Sequence, residues 1–335
     1  MNVSPKISIC IPTYNGDLYL HECIDSCINQ SFSNYEIIIC DDGSSDKTIE
    51  IIQAYQKNNS KIKFYKNESN LGLVANWNKC IKKSAGEWIK FVFQDDYISR
   101  DCLAEFAQLV NSQTKLIVSK RNFLLPDDIN DKDRKYYNQS VRTLENTGYY
   151  ITNQFPIKII STLAVENICM NFIAEPSLVL FKKDVIEIIG EFDSEFKQIC
   201  DLEFLQRIAT NYGLTYLPKK NCYFRIHQQS TTVKNVSSNT YYLQHIEPVL
   251  LAHKMLYSKV YEKFRSSLSF FQLYHLKTYF KVRTFESYIK GMNDVADKEL
   301  FEAISSKYPE IKKASEGSSI TKVKYFILKQ IRKGR

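Results

Sequence analysis

Five aspartates and one histidine have the residue type and the placement to do chemistry in this chain. Asp95-Asp96 follows the apolar run Trp88-Ile89-Lys90-Phe91-Val92-Phe93. Two adjacent carboxylates at the end of a buried strand repel each other unless a cation joins them. A divalent metal bridging a diphosphate is one such cation; a loop acid or a helix N-cap is the plainer use of the same letters. Asp41-Asp42 ends the run Glu36-Ile37-Ile38-Ile39-Cys40. Asp-Gly-Ser is ordinary turn chemistry, and a carboxylate at a sheet rim can also recognise a base or a ribose. Asp201 opens an amphipathic segment with Leu202, Leu205 and Ala209 on its core side. The helix dipole favours an ionised carboxylate there, which either caps the helix or takes a proton from a hydroxyl as a general base. Glu203 lies about 200° further round the helix and cannot share that role. His227 follows Tyr223-Phe224-Arg225-Ile226, where an imidazole can be a hydrogen-bonded structural residue or can hold a metal or a phosphate oxygen.

These residues need elements to position them. Ile7-Ser8-Ile9-Cys10-Ile11 reads as a strand stopped by Pro12, and Leu20, Cys23, Ile24, Cys27 and Ile28 recur at helical spacing. Glu36–Cys40 is a second strand, and Ser44 is placed to cap the helix after it. Further strands are expected at Ile62–Tyr65, Trp88–Phe93, Leu116–Val118, Leu178–Phe181, Thr215–Leu217 and Tyr223–Ile226. Helices are expected around 74–85, 103–110 and 200–210. Strands separated by helices of this length imply a mostly parallel sheet with right-handed crossovers. Ligands of such sheets bind beyond the carboxyl ends of the strands. The fold therefore gathers Pro12-Thr13-Tyr14-Asn15, Asp41-Asp42 and Asp95-Asp96 at one rim.

Residues 121–148 are polar and read as a long surface loop. From about Thr240 the pattern is helical to the end, with Pro248, Gly291, Pro309 and Gly317 as punctuation. The expected division is an α/β domain over 1–235 and a helical region over 236–335.

With 44% hydrophobic residues, the 335-residue chain can bury a real core. Of its formal charge of +8, Lys322, Lys324, Lys329, Arg332, Lys333 and Arg335 supply six after the last acid, Glu316, and leave +2 for the rest. A basic tail on a near-neutral body points to an anionic surface. Val323, Phe326, Ile327 and Ile331 make that tail an amphipathic helix able to lie on a bilayer, or to dock on its own domain. No base-reading motif accompanies it, so no nucleic acid is expected. The nine cysteines show no Cys-x-x-Cys spacing and mostly sit among apolar residues. This favours a reducing compartment without disulfides or structural zinc. No signal peptide is read at the start, and the apolar stretch 159–181 is interrupted by Glu166, Asn167, Asn171, Glu175 and Pro176, so it is not a span. The expected place is the cytoplasm, peripheral on the inner face of the plasma membrane.

The order of the motifs is more specific than any one of them. Ile7 to Gly16, Glu36 to Thr48, Asn70-Leu71-Gly72, Asn78, Ala85-Gly86-Glu87, Gln94-Asp95-Asp96, Gly190-Glu191-Phe192-Asp193 and Cys200-Asp201-Leu202-Glu203 together resemble glycosyltransferase family 2 over about residues 5–230. The resemblance implies an α/β GT-A (Rossmann-like) fold, a nucleoside-diphosphate sugar donor such as a UDP-sugar, Mn2+ or Mg2+, and transfer with inversion to a hydroxyl of a glycan or lipid-linked glycan. It implies bacterial surface polysaccharide synthesis as the setting. By position, Pro12, Thr13, Tyr14, Asn15, Asp41, Asp42, Asn70, Gly72, Asn78 and Gln94 line the donor pocket, with Asp41 on the base. Asp95, Asp96 and His227 hold the metal, and Asp201 is the base toward the acceptor. Two departures stand out: Phe93 occupies the place of the first acid of the family's D-x-D, and Cys200 replaces the first acid of the pair at the base. A metal-dependent nucleotidyltransferase would use similar carboxylates, but the loop after the first strand has no Lys or Arg for a triphosphate. A binding module without catalysis is the other alternative, against which the retained Asp41, Asp95 and Asp201 argue.

Overall fold

The computed structural model describes residues 6–135, 137, 143–149, 152–227 and 240–333. It divides into two compact units: residues 1–156 with 171–228, and residues 157–170 with 229–335. The expected division at 235/236 falls outside the described residues. So do the reading of the first five residues and that of Arg335, together with the side chains of Ile331, Arg332 and Lys333.

The first unit runs β1 (Ile7–Thr13), α1 (Leu20–Ile28), β2 (Tyr35–Asp41), α2 (Thr48–Asn58), β3 (Ile62–Lys66), α3 (Leu73–Lys83), β4 (Trp88–Phe91), β5 (Tyr97–Ile98), α4 (Cys102–Ala107), β6 (Leu116–Ser119), β7 (Phe123–Leu124), α5 (Asp131–Lys135) and β8 (Gln154–Phe155). After α6 (Ile157–Glu166), which belongs to the second unit, come β9 (Val179–Lys182), α7 (Ile186–Ile189), α8 (Cys200–Tyr212), β10 (Leu214–Leu217) and β11 (Cys222–Arg225). Eight strands form one sheet in the order β3-β2-β1-β4-β9-β6-β10-β8. Strands β1 to β4 are parallel to one another, β9 runs antiparallel between β4 and β6, and β10 is parallel to β6. The expected mostly parallel α/β sheet is present. A small second sheet, β5-β11-β7, lies in the same unit.

Every residue of β1 and β2 is buried. That is why these strands read as continuous apolar runs rather than alternating ones. Helix α1 buries Leu20, Cys23, Ile24 and Cys27, the stripe its spacing predicts. All nine cysteines are free thiols.

Several boundaries differ from expectation for local reasons. Strand β1 continues through Pro12 to Thr13, paired with β2 throughout, whereas its pairing with β4 ends at Cys10↔Phe91. Asp42 N–H donates to the Thr13 carbonyl on the β2 side, and Val92 N–H to the Cys10 carbonyl on the β4 side. Pro12 therefore faces the side where pairing has stopped, and its missing N–H costs no ladder bond. Strand β4 ends at Phe91, not Phe93, because the Phe93 N–H donates instead to Ser177 Oγ at 3.2 Å. Ser44 does not cap α2. Its N–H and hydroxyl both turn back to Asp41, while Asp46 accepts from Thr48 N–H at 3.0 Å at the helix start. The expected loop 121–148 contains β7, α5 and a 3-10 turn at Leu144–Asn146.

The second unit is helical, with helices at Glu247–Tyr257, Glu262–Ser267, Phe270–Gly291, Val295–Lys307, Pro309–Ser315 and Ser319–Lys333 beside α6. Leu250, Leu251, Met255, Phe264, Leu276 and Phe280 are among its buried residues. Ser269 closes a capping box with Gln272 at the start of Phe270–Gly291. The last helix docks through Tyr325, which packs with Val282 and Phe285. Among the described residues, no helix is long and apolar enough to cross a membrane.

Candidate active site

The rim is built first from the loops after β1 and β2. Thr13 and Asp41 are register partners at the ends of these strands. Thr13 Oγ1 donates to Asp41 Oδ2 at 3.1 Å, Gly43 and Ser44 N–H donate to Oδ1 at 3.2 and 2.9 Å, and the Ser44 hydroxyl donates to Oδ2. Asp41 is fully buried, and both its oxygens are engaged in shaping the loop. Asn15 sits at φ 46°, in the left-handed region that Asn tolerates better than most residues. Its N–H donates to Ser44 Oγ and its Oδ1 accepts from Ser45 N–H, at 2.8 and 2.9 Å. Gln94 grips the backbone of Tyr14 from the other side: Oε1 accepts from Tyr14 N–H at 2.8 Å and Nε2 donates to Tyr14 O at 3.1 Å. A Cβ on Gly16 would lie 2.2 Å from Gln94 Oε1, so any larger residue there displaces the Gln94 amide from this clamp. Tyr14 itself is 49% exposed at the rim.

Asp42 faces the other way. Its carboxylate is buried and accepts from Asn67 Nδ2 at 2.7 Å, Leu71 N–H at 2.8 Å and Gly72 N–H at 2.9 Å. It thereby folds the 67–72 loop back onto the sheet. Asn70 Oδ1 accepts from Gly72 N–H at 3.0 Å, and Gly72, at φ 87°, starts α3. Asn78 is a tie rather than a rim residue. Its amide donates to Phe192 O at 2.8 Å and accepts from Phe192 N–H at 3.0 Å, joining α3 to the Gly190-Glu191-Phe192 turn.

The turn after β4 carries the candidate metal site. Phe93 stacks on Trp77 with ring centres 4.7 Å apart, so the place of the missing acid is occupied by an aromatic pair. Asp95 Oδ2 lies 2.8 Å from His227 Nε2, and both side chains are partly exposed. Arg225 braces this pair. Its Nε donates to Asp95 O at 2.9 Å, its N–H donates to Asp96 Oδ1 at 2.9 Å, and its guanidinium reaches Glu22 and lies 4.4 Å from the Tyr19 ring centre. Tyr19 meets the His227 ring edge-on at 5.2 Å. Asp96 points inward and is buried, with Oδ2 lacking a hydrogen bond. Burial, then the charge of Asp95, raises its pKa well above the ordinary carboxylate range, against the pull of Ser177, Arg225 N–H and Lys90.

Among the described residues, no three His, Cys, Asp or Glu side chains converge as a closed metal cage. The Asp95–His227 pair nonetheless suits a cation of another kind. A carboxylate and an imidazole already share one contact at an accessible rim. Mg2+ and its like are commonly held by one or two protein groups, with the other ligands from phosphate and water.

Asp201 occupies the second position of α8, and Ile199, the N-cap, makes no side-chain cap. Its Oδ1 accepts from Leu202 N–H at 2.7 Å, and its Oδ2 accepts from Asn171 Nδ2 at 3.4 Å. Burial raises its pKa to about 7; Leu202 N–H lowers it, Glu175 raises it and Arg121 lowers it. The sequence reading, in which the helix dipole keeps Asp201 ionised, is thus corrected: loss of solvation outweighs the dipole. Arg121, buried, donates through Nε to Glu175 Oε2 at 2.9 Å and through Nη2 to Asn171 O at 2.8 Å. Glu203, as the helical angle required, is elsewhere. It is buried and paired with Arg207 at 2.7 Å, and Arg207 also holds the carbonyls of Ile189 and Glu191.

A run of contacts thus follows the rim. It leads from Asp41 through Thr13 and Tyr14 to Gln94, and on through Asp95 and His227. Ser177 touches Phe93 on that turn and stands two positions from Glu175, which acts on Asp201. Sequence reading did not single out Arg121, Asn171 or Arg225. The one available signal was the position of Arg225, two residues before His227.

Residues 8–170 match Glycosyl transferase family 2. An uncharacterized glycosyltransferase of Haemophilus influenzae is 37% identical over 123 residues, which cover 37% of this chain and 49% of that protein. The chain thus spans about half the length of this relative. The solved structure of S. aureus TarS 1–349 in complex with UDP-GlcNAc is similar with a TM-score of 0.56 at 19% identity, covering 91% of this chain and 92% of that one. Mannosyltransferase PcManGT from Pyrobaculum calidifontis, in complex with GDP-Man and Mn2+, is similar with a TM-score of 0.52 at 14% identity, covering 97% and 88%. At these identities the structural likenesses speak for the fold, and the sequence match speaks for the family. Residues 8–170 are thus similar to glycosyl transferase family 2, and the fold of the chain is similar to that of these two structures.

Proposed function

We propose that the chain transfers a sugar from a nucleoside-diphosphate sugar, a UDP-sugar, to a hydroxyl of a glycan or lipid-linked glycan, with inversion at the anomeric carbon. The setting is bacterial surface polysaccharide synthesis, with the chain peripheral on the cytoplasmic side of the membrane. The observation that carries the reading is the Asp95–His227 contact at the carboxyl end of β4, beside the Tyr14–Gln94 clamp. The loops after β1 and β2 and the 67–72 loop frame the space for the nucleotide. Asp41, Asp42 and Gln94 hold those loops in shape.

Asp95 and His227 would hold Mn2+ or Mg2+ together with diphosphate oxygens. Such a cation neutralises charge on the departing nucleotide. Asp96 lies behind them and ties the turn to β11. Asp201 in its ionised form accepts the proton of the acceptor hydroxyl. The oxygen then forms its bond to the anomeric carbon from the side opposite the diphosphate, and the bond to the diphosphate breaks. A pKa of about 7 suits this task, because the carboxylate is available at neutral pH and holds the proton it gains.

The test is thermal stabilisation by a panel of nucleotide sugars with and without Mn2+, followed by donor hydrolysis and transfer. Metal-dependent stabilisation by a nucleoside-diphosphate sugar is expected. Stabilisation by nucleoside triphosphates alone would favour a nucleotidyltransferase instead.

A further inference from the structure

We propose that the second unit carries a two-helix platform that binds the surface of an anionic phospholipid bilayer. This goes beyond the acceptor chemistry above and depends on no residue of the active site.

The platform starts at Phe270–Gly291. Phe270 and Phe271 are 78% and 79% exposed at its first turn, and Tyr274 follows at 54%. Their rings meet edge-on with centres 5.8 Å apart, and most of both side chains is left open to solvent. Exposed Lys277 and Lys281 continue the line at helical spacing. The helix has one acid, Glu286, which is buried and paired with Arg283.

The second half is Ser319–Lys333, which contains no acidic residue. Thr321 and Tyr325 face inward. The opposite side exposes Ile320, Val323, Phe326 and Ile327, all between 54% and 68%. At 100° per residue these four lie within about 120° of arc. Lys322 and Lys329 fall on one flank of that arc and Lys324 on the other. This is the order in which lysines reach headgroups beside an apolar face sunk in a bilayer.

The two halves form one surface. Lys324 Nζ donates to Tyr274 Oη at 3.2 Å, and Thr278, Val282, Lys324 and Ile327 line a cavity of about 250 Å³ between the helices. The charge is positive on both helices, and the apolar side chains are large and aromatic. Nucleic acid would complement the charge but not so large an apolar face. A bilayer with anionic headgroups complements both.

The test uses the full chain in sedimentation with phosphatidylcholine vesicles, with and without phosphatidylglycerol. Wild type is expected to sediment only with the anionic vesicles, and less at high salt. The double variant F270S/F271S is expected to lose about tenfold in affinity, and K322Q/K329Q about fivefold per charge. All these residues are exposed, so an unchanged melting temperature shows that each variant folds. Loss in F270S/F271S distinguishes this platform from a tail acting alone. Equal sedimentation of wild type and F270S/F271S overturns the proposal, as does failure of wild type to bind. A dimer that these substitutions dissolve, without vesicle binding, assigns the face to a second copy and also overturns it. Failure here with donor hydrolysis intact leaves the active-site reading standing; vesicle binding without donor hydrolysis does the reverse.

Discussion

Asp95 and His227 are 132 positions apart and their side chains meet at 2.8 Å. Their contact joins the turn after β4 to the end of β11. We propose this pair as the point at which a cation and a diphosphate are held together.

His227→Ala and Asp95→Asn should each weaken Mn2+ binding in the presence of nucleoside diphosphate by about 10–100-fold. Transfer at limiting metal should fall in step, with partial recovery at high metal. Calorimetric titration of Mn2+ into the protein with UDP checks this. Unchanged affinity in both variants would remove the pair from the site.

Asp201→Asn should abolish transfer while leaving donor binding near wild type. In the wild type, kcat should rise with pH through about 7, because the base must be ionised and burial holds its pKa there. The stability has the opposite sign. Between the ordinary carboxylate range and about 7 the folded protein keeps a proton that the unfolded chain has released, so this group's contribution falls as pH rises. Asp201→Asn should therefore stabilise the fold at pH 8, by on the order of 2 kcal/mol, and have little effect at pH 4. Urea melts at the two pH values read this directly; equal shifts at both would contradict the cause given for the raised pKa.

Gly16→Ala should disrupt the Gln94 grip on Tyr14, since the added methyl meets the Gln94 amide at 2.2 Å. The cost in stability should be small, about 1 kcal/mol, because the flexible Gln94 amide can swing away and only its exposed hydrogen bonds to Tyr14 are lost. Donor KM should rise more than kcat falls, because the damage is to the shape of the pocket. A variant with wild-type donor KM would show that the clamp does not shape the donor site.

Asn78→Ala should cost about 1–3 kcal/mol in stability by leaving the Phe192 N–H and carbonyl without their partner. Its donor KM should stay close to that of wild type in the fraction that remains folded. A large rise in KM with unchanged stability would return Asn78 to the donor pocket.

Much of the fold is legible in the residues because its signals are local. The apolar runs of β1 and β2 and the stripe of α1 follow from burial at fixed periods. The motif ends at Thr13, Asp41 and Asp95 follow from where those runs stop. Boundaries set by distant partners were harder to read. Pro12 remains in β1 because β4 has already ended beside it, and β4 ends early because Ser177 captures the Phe93 N–H.

By itself, the sequence determined which residue types stand at the strand ends, the parallel α/β plan that gathers them, and the separation of Glu203 from Asp201 by helical angle. Only the tertiary structure decided which carboxylates remain available. Asp41 and Asp42 are spent on their loops, Asp96 turns inward beneath Arg225, and Asp95 finds His227. It alone set Arg121, Asn171 and Glu175 around Asp201 and reversed the expected direction of its pKa. The reason is physical: periodicity and turn chemistry act over a few residues, whereas loss of solvation and the partner of a charge depend on whatever the whole chain packs beside it.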